Sequence, residues 1–247
     1  MDNDDNLENK RAFLNIKGLR EHWDGLIEHG EKKKLGHARF LQHIVDVLYN
    51  ERKAYSREMR LKRAAIPELL VMGTYPFAEQ PKLDRVKMVN VFDSFDYITK
   101  KQNIIFLGPT GVGKTGLGTS FLVNAIEKGK TGRFITFHEL ISRLNKAIAL
   151  HEEERVLKRL AAYDCLHIDE IGYVEVDAAQ VGLFFRLMSM RHKRRTTIVT
   201  SNLGFQQWRT FLKNDHLTAA LVERTTSNSH VFNMKDCVSL RPKPHLS

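Results

Sequence analysis

Four apolar residues, Ile104-Ile105-Phe106-Leu107, run into Gly108, Pro109, Thr110, Gly111, Val112, Gly113, Lys114 and Thr115. This is the P-loop pattern G-x-x-x-x-G-K-[ST]. The glycines let the backbone curl so that successive N–H groups face phosphate oxygens. Lys114 is placed to reach the β- and γ-phosphates, and the Thr115 hydroxyl to ligate Mg²⁺. A helix starting near Gly113 would aim its N-terminal dipole at the same anion. The expected nucleotide contacts therefore run from Gly108 through Gly116.

A P-loop needs a metal ligand and a group to activate water. A second apolar run, Cys165-Leu166-His167-Ile168, ends in Asp169-Glu170. One carboxylate near the P-loop threonine suits Mg²⁺, which takes oxygen ligands and keeps waters. Glu170 would then lie beside the γ-phosphate and orient an attacking water, which favours an ATPase over a kinase. His167 interrupts the strand and reads as a satisfied core histidine. A third run, Thr196-Thr197-Ile198-Val199, ends in Thr200-Ser201-Asn202. In a parallel sheet that tip lies at the ligand-binding edge. Asn202 can position water there, or cap a helix. Arg224, at a helix end before a fifth strand, reads by itself as a surface arginine at a helix C-terminus.

These groups need a scaffold. Strands at 104–107, 133–137, 165–168, 196–200 and 230–234 alternate with helical stretches, which implies a parallel sheet covered on both faces. The helices expected are 84–99, 113–127, 138–162 with a charged break at Glu152-Glu153-Glu154, and 178–191. Before them, Phe13, Ile16, Leu19, Trp23, Leu26 and Ile27, then Phe40, Leu41, Ile44, Val45, Leu48 and Tyr49, recur at three and four residues. Gly30 and Gly36 flank Lys32-Lys33-Lys34 and suggest a break between helices. Residues 1–6 read as disordered. The division expected is a small all-α domain at 1–66, a proline-containing connector at 67–83 and an α/β domain at 84–247.

The composition narrows the partners. The 247 residues carry a net charge of +10, which suggests a polyanion, nucleic acid first. Arg52, Lys53, Arg57, Arg60, Lys62 and Arg63 crowd one helix, either as a solvated face or as a phosphate-tracking surface. Arg191, Lys193, Arg194 and Arg195 read as a solvated loop. No apolar run is long enough to span a membrane, and the acidic N-terminus is unlike a signal peptide. Two cysteines, Cys165 and Cys237, in apolar surroundings point away from a disulfide or metal site and towards a reducing cytoplasm.

Gly108–Thr115, Ile168-Asp-Glu-Ile-Gly-Tyr173, Thr200-Ser-Asn-Leu203 and Glu223-Arg224, in this order and spacing, resemble the IstB-like ATPases. These are AAA+ helpers of transposases in bacterial insertion sequences, related to DnaC-type helicase loaders. The resemblance covers nearly the whole chain. It implies a P-loop AAA+ core with a five-stranded parallel sheet and no lid domain, behind a small helical domain. It implies ATP and Mg²⁺ as ligands, Lys114 and Thr115 as nucleotide and metal contacts, Asp169 as metal ligand and Glu170 as catalytic base. Asn202 becomes the sensor, and Arg224 a finger acting on the adjacent subunit of a homo-oligomer with shared sites. Arg241 is a further candidate near the nucleotide. Double-stranded DNA and a transposase are the implied partners, with DNA contacts at Arg52, Lys53, Arg57, Arg60, Arg63, Arg143 and Lys146. The family commonly has Asp-Arg where this chain has Glu223-Arg224. A helicase loader shares every one of these motifs, and a non-hydrolysing, nucleotide-gated DNA adaptor is the alternative outside enzymes.

Overall fold

A computed structural model describes residues 7–10, 12–13 and 16–241, and the disorder expected for residues 1–6 lies outside them. The chain divides into two compact units, Met1–Met59 and Arg60–Ser247.

The first unit holds α1 (Lys17–Glu21), α2 (Trp23–Lys32) and most of α3 (His37–Ala64). The break falls where the glycines and lysines suggested, with Lys34 at φ +49°. The apolar period marks helix here without marking core. Leu26 is buried, but Leu41, Val45 and Tyr49 are 63%, 62% and 61% exposed, one stripe at spacings of four along α3.

The second unit starts within α3 and includes the proline-containing segment. It continues through α4 (Arg85–Ser94), α5 (Asp96–Thr99), β1 (Asn103–Leu107), α6 (Lys114–Glu127), β2 (Gly132–Thr136) and α7 (Phe137–Ala149). Then come α8 (Glu153–Ala162), β3 (Cys165–Ile171), α9 (Ala178–Arg191), β4 (Thr196–Ser201), α10 (Phe205–Leu212), α11 (Asp215–Thr226) and β5 (Ser229–Asn233). The single helix expected at 84–99 is two, divided at Phe95 with φ +60°. The Asp84 side chain accepts the Lys87 N–H and caps the first of them. Helix α10 carries no signal that the sequence reading used.

The sheet is five-stranded and all parallel, in the order β2-β3-β4-β1-β5. Alternate residues of each strand face opposite cores. Ile105, Leu107, Leu166, Ile168 and Val199 pack with α7 to α11 on one side. Ile104, Phe106, Ile198, Leu117 and Phe121 pack on the other, with α4 to α6. Burial on both faces explains why the strands read as continuous apolar runs. Passing from β1 to β2 the chain skips two strand positions, which opens a crevice at the carboxyl ends of β1, β3 and β4.

One basic residue is not where its composition pointed. Arg191 is buried at 1% exposure, not solvated with Lys193, Arg194 and Arg195. Its guanidinium donates to the Thr197 hydroxyl at 2.9 Å, to the carbonyls of Leu160, Ala161 and Tyr163 at 3.1, 3.1 and 2.8 Å, and to that of Thr196. A fork of donors satisfies the carbonyls where α8 ends and β4 begins, work that no apolar side chain could do.

Candidate functional site: a phosphate cradle with paired carboxylates

Gly111 and Gly113 take φ of +88° and +87°, a region where a side chain would be strained. That turn delivers the chain to α6, whose N-cap Gly113 offers no side-chain acceptor and whose first turn holds no acid. The first N–H groups of a 14-residue helix are thus left for an anion. The Lys114 ammonium donates to the Gly108 and Pro109 carbonyls at 2.8 and 2.7 Å, folded over the loop it would share with phosphate. Burial lowers its pKa, against the opposing pull of Asp169 and Glu170.

The carboxylates arrive on β3. Ile168 pairs with Val199 and Ile171 with Ser201, so three steps on β3 match two on β4. This bulge sits at Asp169 and Glu170, and Glu170 takes φ +61°. Consecutive strand residues ordinarily point to opposite faces. Here Asp169 is buried against Thr115 while Glu170 stays exposed and lines the same pocket as Thr115. The strand therefore runs on to Ile171 rather than stopping at the acid pair. The Thr115 hydroxyl donates to the Asp169 carboxylate, 3.1 and 3.0 Å from its two oxygens. An all-oxygen pair of this kind, at the helix end that faces phosphate, fits Mg²⁺.

Thr110, Gly111, Gly113, Lys114, Thr115 and Glu170 line one cleft, joined by Tyr173, Thr200, Asn202 and Arg241. The Asn202 Oδ1 is buried without a protein partner, an acceptor left for a ligand or water. The tail after β5 braces the loop. The Leu240 N–H donates to the Gly111 carbonyl at 2.9 Å, and Val238 exchanges two hydrogen bonds with Gln80 at 2.9 and 2.8 Å. The Tyr75 hydroxyl donates to the Val112 carbonyl at 2.8 Å. The segment at 67–83 thus packs the P-loop instead of only linking. Sequence reasoning gave no role to Tyr75, Gln80, Tyr173 or Thr200. For Tyr173 and Thr200 the signal was their place within motifs already singled out.

His167 is buried as expected but is not satisfied. Neither ring nitrogen has a hydrogen-bond partner. The ring packs edge-on to Phe134 with centroids 4.9 Å apart, and its Nε2 lies 3.6 Å from Asp169 Oδ1. Burial pushes its pKa down to about 4, against the attraction of Asp169, so the ring is neutral. Gly118 makes the room: a Cβ there would come within 2.6 Å of the ring.

Arg224 stays outside this pocket. The neighbouring Thr225 carbonyl accepts from Asn103 at 2.9 Å, at the start of β1, about 13 Å of strand from the P-loop end. Its guanidinium stacks 4.7 Å over Phe185 and donates to the Ala220 carbonyl at 3.2 Å. Of the basic residues, Arg52, Lys53, Arg57 and Arg63 are exposed and Arg60 is half-buried. Arg143 pairs with Glu139 at 2.6 Å, and with Lys146, Arg155 and Arg159 it lines a cleft between α7 and α8.

A P-loop at the β1 switch point, an acid pair on β3 and an asparagine beyond β4 define a P-loop ATP-binding protein. A model of the family described as IstB-like ATP binding protein matches residues 9–246. A Pseudomonas aeruginosa protein named as an ATP-binding protein of insertion sequence IS21 is 33% identical over 229 residues, 93% of this chain and 86% of its own. One from insertion sequence IS232 of Bacillus thuringiensis is 30% identical over 98% of this chain and 96% of its own. The chain belongs to this IstB-like family. Among solved structures, DnaI aligns over 60% of this chain and 84% of its own with TM-score 0.54 and 19% identity. The DnaC helicase loader aligns over 61% and 87% with TM-score 0.51 and 21% identity. At such identities these two speak for the fold. Among the described residues no helix is long and apolar enough to cross a membrane.

Proposed function

We propose that the protein hydrolyses ATP, assembles on double-stranded DNA as a homo-oligomer in the cytoplasm, and directs a transposase to its target. The observation that carries this reading is the convergence of Lys114, Thr115, Glu170 and Asn202 on one cleft. A nucleotide clamp needs only the cradle; a water-activating carboxylate and a free amide acceptor at its γ-phosphate end go beyond clamping. Lys114 and the α6 N-terminus hold the phosphates, Glu170 orients and polarises the water, and Asn202 fixes it. Mg²⁺, held by Thr115 and Asp169, supplies charge neutralisation on the phosphate oxygens when bound. Arg224 completes the site of a neighbour, because it lies at the far edge from its own P-loop.

The relatives that are 33% and 30% identical over more than nine-tenths of this chain are named from insertion sequences, which supports transposition over helicase loading. Basic residues in both units support a polyanionic partner, with Arg52, Lys53, Arg57, Arg60, Arg63, Arg143 and Lys146 as its contacts. The test is ATP turnover with and without duplex DNA. Turnover stimulated by DNA and abolished in K114A supports the reading. Absent turnover at saturating DNA leaves the nucleotide-gated adaptor instead. Pull-down of a replicative helicase in place of a transposase would favour the loader.

A further inference from the structure

The hydroxyl of Thr200 sits between the two carboxylate positions of the site. Thr200 is fully buried, and its backbone is in register with Phe106 of β1. Its Oγ1 is 2.9 Å from the Glu170 N–H and within hydrogen-bond reach of Asp169 Oδ1. The direction of both bonds is forced. A backbone N–H can only donate, so Oγ1 accepts from Glu170. The single hydroxyl proton is then left for Asp169, which receives it as a carboxylate.

We propose that Thr200 is the positioning residue of the site, one hydroxyl that holds the metal-binding carboxylate and pins the backbone of the catalytic base. This rests on the hydrolytic reading above. The bulge explains why such a pin is needed. At Glu170 the β3 ladder slips, and the residue takes a left-handed φ of +61° that a non-glycine residue does not favour. A local conformation of that kind persists only where its surroundings over-determine it. The Thr200 hydroxyl takes up the N–H that the slipped ladder cannot pair. Thr115 also donates to Asp169, but its oxygen is the one offered to a cation. Thr200 is the donor that stays with Asp169 throughout. Outer groups of this type, hydrogen-bonded to a metal's carboxylate, set its orientation and basicity.

Sequence gives no separate mark for the role. Thr200 reads as one more β-branched strand residue, and its neighbour Asn202 takes the attention. What distinguishes it is that β4 lies between β1 and β3, so its tip faces both the P-loop and the bulge.

The test compares T200V, T200A and T200S in the full chain. The readouts are Mg²⁺-dependent binding of a fluorescent ATP analogue, binding of the same analogue in EDTA, and kcat and KM for ATP. In T200V the Mg²⁺ needed for half-maximal binding should rise about 10- to 100-fold, with kcat falling by a similar factor. Binding in EDTA, set by the P-loop, should stay at the wild-type value. T200S should restore both losses. Should T200V not fold, as judged by its melting curve, T200A against T200S makes the same comparison. Wild-type Mg²⁺ dependence and kcat in T200V or T200A would overturn the proposal, as would a T200S no better than T200A. E170A runs alongside. If it turns over ATP normally, the hydrolytic reading fails, while the Mg²⁺-binding result still judges Thr200's hold on Asp169.

Discussion

The Tyr173 hydroxyl lies 2.6 Å from the Thr110 hydroxyl, so the loop after the acid pair is tied to the phosphate cradle across the mouth of the cleft. Tyr173 itself is 52% exposed. The two loops leave different strands, β3 and β1, and the bond joins the Glu170 side of the cleft to the P-loop side.

That pair predicts a small, coupled loss. Y173F should lower kcat/KM for ATP about two- to tenfold, the worth of one net hydrogen bond of roughly 0.5–1.5 kcal/mol. T110V should lose as much, and the double variant no more than either. Steady-state kinetics in a double-mutant cycle measures it. Additive losses would mean the two hydroxyls act separately.

Arg224 predicts complementation. R224A should bind ATP as wild type does and lose about 10³-fold or more in turnover. K114A should be inactive through its own cradle. Mixing the two should restore part of the turnover, since a K114A subunit still supplies Arg224 to an R224A neighbour. A mixture as inactive as its components would mean that Arg224 does not act between subunits.

His167 predicts a pH dependence of stability in nucleotide-free protein. The buried ring titrates at about 4, against about 6.5 when unfolded. The unfolded chain therefore takes up this proton first as pH falls. The stability is fully present above pH 6.5 and is lost progressively towards pH 4, by about 3 kcal/mol at 1.36 kcal/mol per unit. Urea melts between pH 4 and 7 should be flatter for H167L than for wild type. Equal slopes would remove His167 as the cause.

Arg191 predicts a stability loss with no chemistry attached. R191A strands several carbonyls in the core and should cost at least about 3 kcal/mol in denaturant melts. R191M, which fills more of the space, should do little better, because the loss lies in the carbonyls and not in the volume.

What could be read from the chain beforehand follows from what each signal measures. The P-loop is legible because its chemistry needs contiguous residues, and the strands because burial on both faces leaves unbroken apolar runs. The α6 and α9 helices are legible for the same reason of pattern. Composition counts the charge of Arg191 and cannot see the carbonyls around it. For His167, burial is inferable from its strand and the presence of a partner is not. Thr200 and Tyr173 went without roles because theirs depend on a strand order in which β4 lies between β1 and β3. The stripe Leu41, Val45, Tyr49 shows the converse: a helical period is visible whether or not anything covers it.

The most direct measurement for the whole account is ATP turnover and ATP binding in E170Q. The substitution keeps the size of the side chain and removes its charge. The expected result is an ATP Kd near wild type and turnover lower by at least about 100-fold, the range of a lost general base. Turnover at the wild-type rate in E170Q, with or without duplex DNA, would contradict it.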